Sequence, residues 1–233
     1  MFSKDVERWR SFARIHAAWA AKRYGVQLDE SDLLALITHE SGGDPSAINP
    51  NSGCRGLGQF SGGTLHDYNQ EFPDRALTWN DLIDPSHAGE QIRAIAWCVA
   101  SSRKTVSSWS MPDAASSADL WGDLRYGWGG GNTRDAIAAY KAGHGGQAPT
   151  FAELEASSAS SFDENHDGKT DIQPFIHARR VHALAAKDRG EAPVPPAPFP
   201  DPPAIAGGVG CDCCCAARRG DGRCPLGPGA KGV

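Results

Sequence analysis

Apolar residues recur along this chain at intervals of three and four, and no stretch alternates residue by residue, so the pattern predicts a mainly α fold. Ala13 to Tyr24 reads as a first helix, with Phe12, Ile15, Trp19 and Tyr24 as its apolar stripe and Gly25 as its stop. Asp29 to Asp32 supplies N-cap oxygens to a second helix, whose Leu33, Leu36 and Ile37 share a face and which Gly42 and Gly43 end. Asp84-Pro85-Ser86 opens a longer helix through Ile92, Ile95 and Val99, and Asn132-Thr133 opens another through Ile137 and Tyr140 to Gly143. A last helix is expected from about Pro174 to Lys187.

Beyond that helix the texture changes. Pro193, Pro195, Pro196, Pro198, Pro200, Pro202 and Pro203 favour an extended form without core-forming partners. The expected organisation is one helical domain over residues 1–189, a Pro/Gly-rich linker over 190–210 and a Cys-rich tail over 211–233, expected to be disordered. A chain of 233 residues with 40% hydrophobic and 22% charged positions is ordinary for a soluble globular protein, which rules out wholesale disorder and collagen-like repeats. Lys+Arg 23 against Asp+Glu 28 leaves a net charge of -5, so nucleic acid is not an expected partner. No apolar run reaches the roughly eighteen residues of a membrane span. Acids near the N-terminus, and charges cutting the first apolar stretch, argue against a signal peptide.

Of seven cysteines, Cys54 and Cys98 lie in the body, while Cys211, Cys213, Cys214, Cys215 and Cys224 crowd the tail. Cys98, within Ile95-Ala96-Trp97-Cys98-Val99, reads as a small buried hydrophobe; a bridge to Cys54 stays open for a protein outside the reducing cytosol. The tail thiols suit zinc in kind but lack paired C-x2-C spacing, and low complexity is the simpler reading.

The chemistry centres on Glu40. It succeeds Leu33 by seven and Leu36 by four, so its carboxyl leaves the second helix on the apolar face. Removing a carboxyl from water favours its protonated form, which a general acid needs near neutral pH, and the adjacent glycines allow close approach of a substrate. Position alone fits a surface glutamate at a helix end equally well. The neighbouring motifs shift that balance. Glu40-Ser41-Gly42-Gly43-Asp44-Pro45-Ser46-Ala47-Ile48-Asn49-Pro50 runs into Gly53-Cys54-Arg55-Gly56-Leu57-Gly58-Gln59-Phe60, and Ala139-Tyr140-Lys141-Ala142-Gly143 comes later.

These motifs resemble those of soluble lytic transglycosylases, lysozyme-like proteins related to goose-type lysozymes. The family places a catalytic glutamate before a serine at a helix end, then Gly-Leu-Met-Gln, then Ala-Tyr-Asn-Ala-Gly. Here Gly58 stands for the methionine and Lys141 for the asparagine. The resemblance implies a lysozyme-like domain in which Glu40 is the acid/base, Tyr140 orients it, and Ser41, Asn49 and Gln59 line the sugar cleft. It implies cleavage of the MurNAc-GlcNAc β-1,4 bond of peptidoglycan strands with a 1,6-anhydro product, no catalytic cofactor and no second carboxylate. Asp44, the nearest second acid, reads as a turn residue before proline.

Farther on, Asp163-Glu164-Asn165-His166-Asp167-Gly168-Lys169-Thr170-Asp171 fits the start of an EF-hand-type loop. Asp163, Asn165, Asp167, the Lys169 carbonyl and Asp171 are the expected ligands of a structural Ca2+, although Pro174 occupies the twelfth position, where a bidentate acid is usual. The histidines show no metal-ligand spacing; His177 and His182, beside Arg179 and Arg180, read as a solvated basic strip. The expected function is thus a peptidoglycan lytic transglycosylase, carried in a phage virion or released to the wall at lysis, with the tail as its contact to other virion proteins. The alternatives are a goose-type muramidase, a noncatalytic wall-binding or virion structural protein, and a calcium sensor.

Overall fold

The computed structural model describes residues 1–161 and 173–191. Their helices are α1 (Lys4–Glu7), α2 (Arg10–Tyr24), α3 (Glu30–Ser41), α4 (Gly62–Glu71), α5 (Ala88–Ser107), α6 (Ala118–Trp128), α7 (Gly130–Gly143), α8 (Phe151–Ser161) and α9 (Gln173–Arg189). Short 3-10 turns at Pro73–Arg75, Asp81–Ile83 and Pro85–His87 lead into α5. Among the described residues no strand forms, and the antiparallel bridges Ile48 to Arg55 and Arg55 to Phe60 stand alone. The mainly α expectation holds. Residues 163–172 of the EF-hand-like loop, the linker beyond Glu191 and the Cys-rich tail lie outside the described residues, and the loop's last positions, Gln173 and Pro174, begin α9.

The caps of α2 and α3 agree with the sequence. Asp29 accepts hydrogen bonds from the backbone N–H of Ser31 and Asp32, while the Asp32 carboxylate takes the N–H of Asp29, a reciprocal capping box. Gly25 and Gly42 close α2 and α3 in the left-handed region, at φ 68° and 63°.

The apolar stripe expected on α2 holds at Trp19 and Tyr24, which pack against the core, and fails at Phe12 and Ile15. Its buried face is Ala13, Ala17 and Ala20, while Phe12 and Ile15 are exposed. Small side chains let α2 lie close against α3 and α5, so backbone proximity outranks side-chain size in choosing the face.

Two cores form. Leu33, Leu36, Ile37, Ile92 and Ile95 anchor the first, around α2, α3 and α5. Trp121, Trp128, Phe151 and Phe175 anchor the second, with Phe175 at 5.6 Å from both Trp128 and Phe151, centroid to centroid. Helix α9 serves both, giving Val181 and Ala185 to the first and Phe175 and Ala178 to the second, and it packs on α3 and α6.

Ion pairs pin α9 along its length. Arg10 donates to Asp188 at 2.9 Å, Arg189 to Asp32 at 3.0 Å, and Arg179 to Glu155 at 2.6 Å. Asp32 also takes Arg103, at 3.0 Å, which reaches Asp119 at 3.2 Å and so joins α3, α5 and α6. Burial pushes the Asp32 carboxyl up, but Arg103 and Arg189 overcome it and hold the group below its ordinary range.

Candidate active site

The end of α3 places Glu40 where three structural units meet: α3 itself, the loop from Gly42 to Phe60, and α9 from the other side. The turn after Glu40 is held tightly. Ser41 Oγ donates to the Leu57 carbonyl at 3.0 Å, which ties the helix end to the Gly56-Leu57-Gly58-Gln59 loop. The Gly43 carbonyl accepts from Arg8 and from the Trp9 indole, both at 3.0 Å, and a Cβ on Gly43 would stand 2.7 Å from the Asp5 carbonyl oxygen. Asp44 Oδ1 accepts the Ser46 N–H at 2.8 Å, making the expected turn residue.

The loop spends its amides on itself. Asn49, buried, accepts from the N–H groups of Asn51 and Ser52 at 2.9 and 3.3 Å. Gln59 adopts φ 48°, the left-handed region that a side chain enters at a cost of about 1 kcal/mol or more. Its Nε2 donates to the Gly56 carbonyl at 2.9 Å and to the Ala47 carbonyl at 3.4 Å, which offsets that strain. At Gly58, a Cβ would meet Ile95 Cγ1 at 2.6 Å and the Tyr126 hydroxyl at 3.0 Å; that hydroxyl donates to the Gly58 carbonyl at 2.8 Å. A methionine has no room there, so the departure from the family motif reflects how close α5 and α6 come.

Glu40 Oε1 lies 2.9 Å from His177 Nε2, with the two side chains 1% and 6% exposed. The expectation that His177 belongs to a solvated strip is therefore wrong. Positions 177 and 181 of α9 face inward while Arg180 faces out and Arg179 turns to Glu155; neighbouring charges in sequence hid a helix face that only the fold defines. The His39 ring meets that of His177 edge-on at 4.4 Å. Gly127 of α6 makes room for the imidazole, since a Cβ there would stand 2.6 Å from His177 Nδ1.

Tyr140 goes elsewhere. Half-buried on α7, it stacks on His144 at 3.8 Å beside the second core, while Glu40 pairs with His177. A further acid lies within electrostatic reach of His177: Asp123 of α6 is buried, and desolvation, against the pull of Arg103, pushes its carboxyl up to about 7. Sequence reasoning missed both His177 and Asp123. Asp123 carried a signal, because it comes three residues after Leu120 and precedes Leu124 on an otherwise apolar face. The expected calcium ligands Asp163, Asn165, Asp167, Lys169 and Asp171 lie outside the described residues.

The arrangement offers a shielded carboxyl, a histidine able to share its proton, and glycine-rich backbone beside it. Residues 17–96 match the family model of the transglycosylase SLT domain. The match takes in the second half of α2, α3 with Glu40, the loop through Gln59, α4 and the first half of α5, and stops before Tyr140 and His177. No curated protein and no solved structure matches the chain.

Proposed function

We propose, from the match of residues 17–96 to the transglycosylase SLT domain, that this chain is a peptidoglycan lytic transglycosylase that cuts the MurNAc-GlcNAc β-1,4 bond with Glu40 as its acid and base. The observation that carries the reading is the placement of Glu40: a buried carboxyl at the end of α3, beside the matched loop and hydrogen-bonded to His177. Protonated Glu40 gives its proton to the glycosidic oxygen as the C1–O bond breaks. The substrate's acetamido oxygen closes on C1 and holds the positive charge. Glu40, now a carboxylate, takes the proton of the 6-hydroxyl, whose oxygen displaces the acetamido group to leave a 1,6-anhydro end. No water enters, so no second carboxylate is needed. His177 fixes the orientation of the carboxyl through Nε2 and is a positioning residue.

Mass spectrometry of muropeptides released from purified peptidoglycan tests this. The wild type should release anhydro-ended products and Glu40→Gln should release essentially none. Reducing-end products would replace the reading with a muramidase.

The enclosure of Glu40, whose side chain is 1% exposed, favours a second reading in which the domain binds the wall without cutting it. Binding to sacculi with no product from either protein would establish that one. We further propose delivery by a phage particle or at lysis; detection of the chain in purified particles would support the former, and its absence there would leave the latter.

A further inference from the structure

We propose that His39, Glu40 and His177 form a binding site for a zinc-type divalent ion, and that its occupation silences the carboxyl the transglycosylase reading employs. One ligand atom from each residue lies within 4.8 Å of the others. Three ligands at about 2.0 to 2.2 Å from a tetrahedral ion stand roughly 3.3 to 3.5 Å apart. The 2.9 Å Glu40 to His177 contact therefore opens by only about half an ångström to admit the ion, and the His39 ring moves inward.

The donor set selects the metal. Two imidazoles and one carboxylate suit zinc, with a fourth position left to water, whereas magnesium and calcium require mostly oxygen. Arg180 and Lys187 line the adjacent groove of about 840 Å³ between α3 and α9, as does His39, so the site has a path to solvent. Their positive charge works against a hard cation held by electrostatics alone and leaves coordination to nitrogen as the selecting interaction.

The surroundings are built to hold the ligands. His39 and Glu40 are adjacent on α3 and leave the helix about 100° apart, so neither completes a site without a group from another element. His177 supplies it from α9. Its ring is seated by Gly127 at Nδ1, which leaves Nε2 toward Glu40, and Asp123, one turn before Gly127, puts a carboxyl within electrostatic reach of the imidazole.

The test is calorimetric titration of zinc into the full chain with Cys211, Cys213, Cys214, Cys215 and Cys224 changed to serine, in excess calcium so that oxygen-only sites are filled. One equivalent should bind, at least about tenfold more weakly in His39→Gln and His177→Gln, with the exposed His66→Gln unchanged. His39 is only half-buried, so its variant keeps the test open if His177→Gln fails to fold; circular dichroism checks both. No binding by the parent, or isotherms that both variants leave unchanged, overturns the site. The inhibitory role rests on the transglycosylase reading: zinc should suppress muropeptide release in the parent, with a chelator restoring it. Binding without suppression overturns that role alone. A chain that binds zinc but never releases muropeptides sinks the activity and leaves the site standing.

Discussion

Burial holds a proton on Asp123 that the unfolded chain releases near pH 4, since the folded carboxyl is pushed up to about 7. Between these values the native state binds more protons, so the contribution is full below about pH 4 and is lost as pH rises through 7. Asp123→Asn keeps the shape of the neutral acid and removes the titration. It should stabilise the protein at pH 8 by on the order of a few kcal/mol and leave it nearly unchanged at pH 4. Urea denaturation at the two pH values measures the difference; an equal effect at both would mean that Asp123 ionises normally in the fold. Asp32, in the same network around Arg103, shows the opposite case. There the arginines outweigh burial, and its stabilisation is lost as pH falls through its depressed value.

At the scale of elements, the contact between α6 and α9 decides where His177 points. Gly127→Ala would place a Cβ 2.6 Å from Nδ1, so the ring or the helix must shift. A loss of about 1 to 3 kcal/mol is expected, together with a change in the His177 imidazole nitrogen resonances. Gly63→Ala in α4, whose Cβ would meet nothing nearer than the N-cap Ser61 Oγ at 3.8 Å, should be neutral or slightly stabilising. Denaturation curves and imidazole NMR of both variants check the pair, and equal curves would refute the close approach. The same contact explains what the sequence could convey. The α3 caps and Glu40 were legible because their signals are local: Asp29 and Asp32 lie three residues apart, and the apolar spacing spans two turns. His177 lies 137 residues from Glu40, so no local pattern announces their pairing. Nor could periodicity choose the buried face of α2, where alanines win through the nearness of α3 and α5. Helix α6 was illegible for a related reason. It buries Gly122 and Gly127, which disfavour a helix in sequence until Arg103 and His177 are seen to need the space.

For the whole molecule, the proposed catalysis by Glu40 calls for α9 to part from α3, since the Glu40 side chain is 1% exposed and a glycan must touch it. The first core, the second core and the ion pairs at both ends of α9 oppose that motion. On the transglycosylase reading turnover would then draw on a minor open population. Weakening a tie far from the chemistry should then raise activity while lowering stability. Arg10 is suited to this: its pair with Asp188 holds the last turn of α9 to α2, and the two side chains are 26% and 10% exposed. Such a partly exposed pair contributes roughly 0.5 to 1 kcal/mol, so Arg10→Ala should increase the open fraction about two- to fivefold. The initial rate of muropeptide release should rise by the same factor as Tm falls by a few degrees. A rate that falls along with Tm would show that the closed arrangement is the active one, and that the substrate reaches Glu40 without displacing α9.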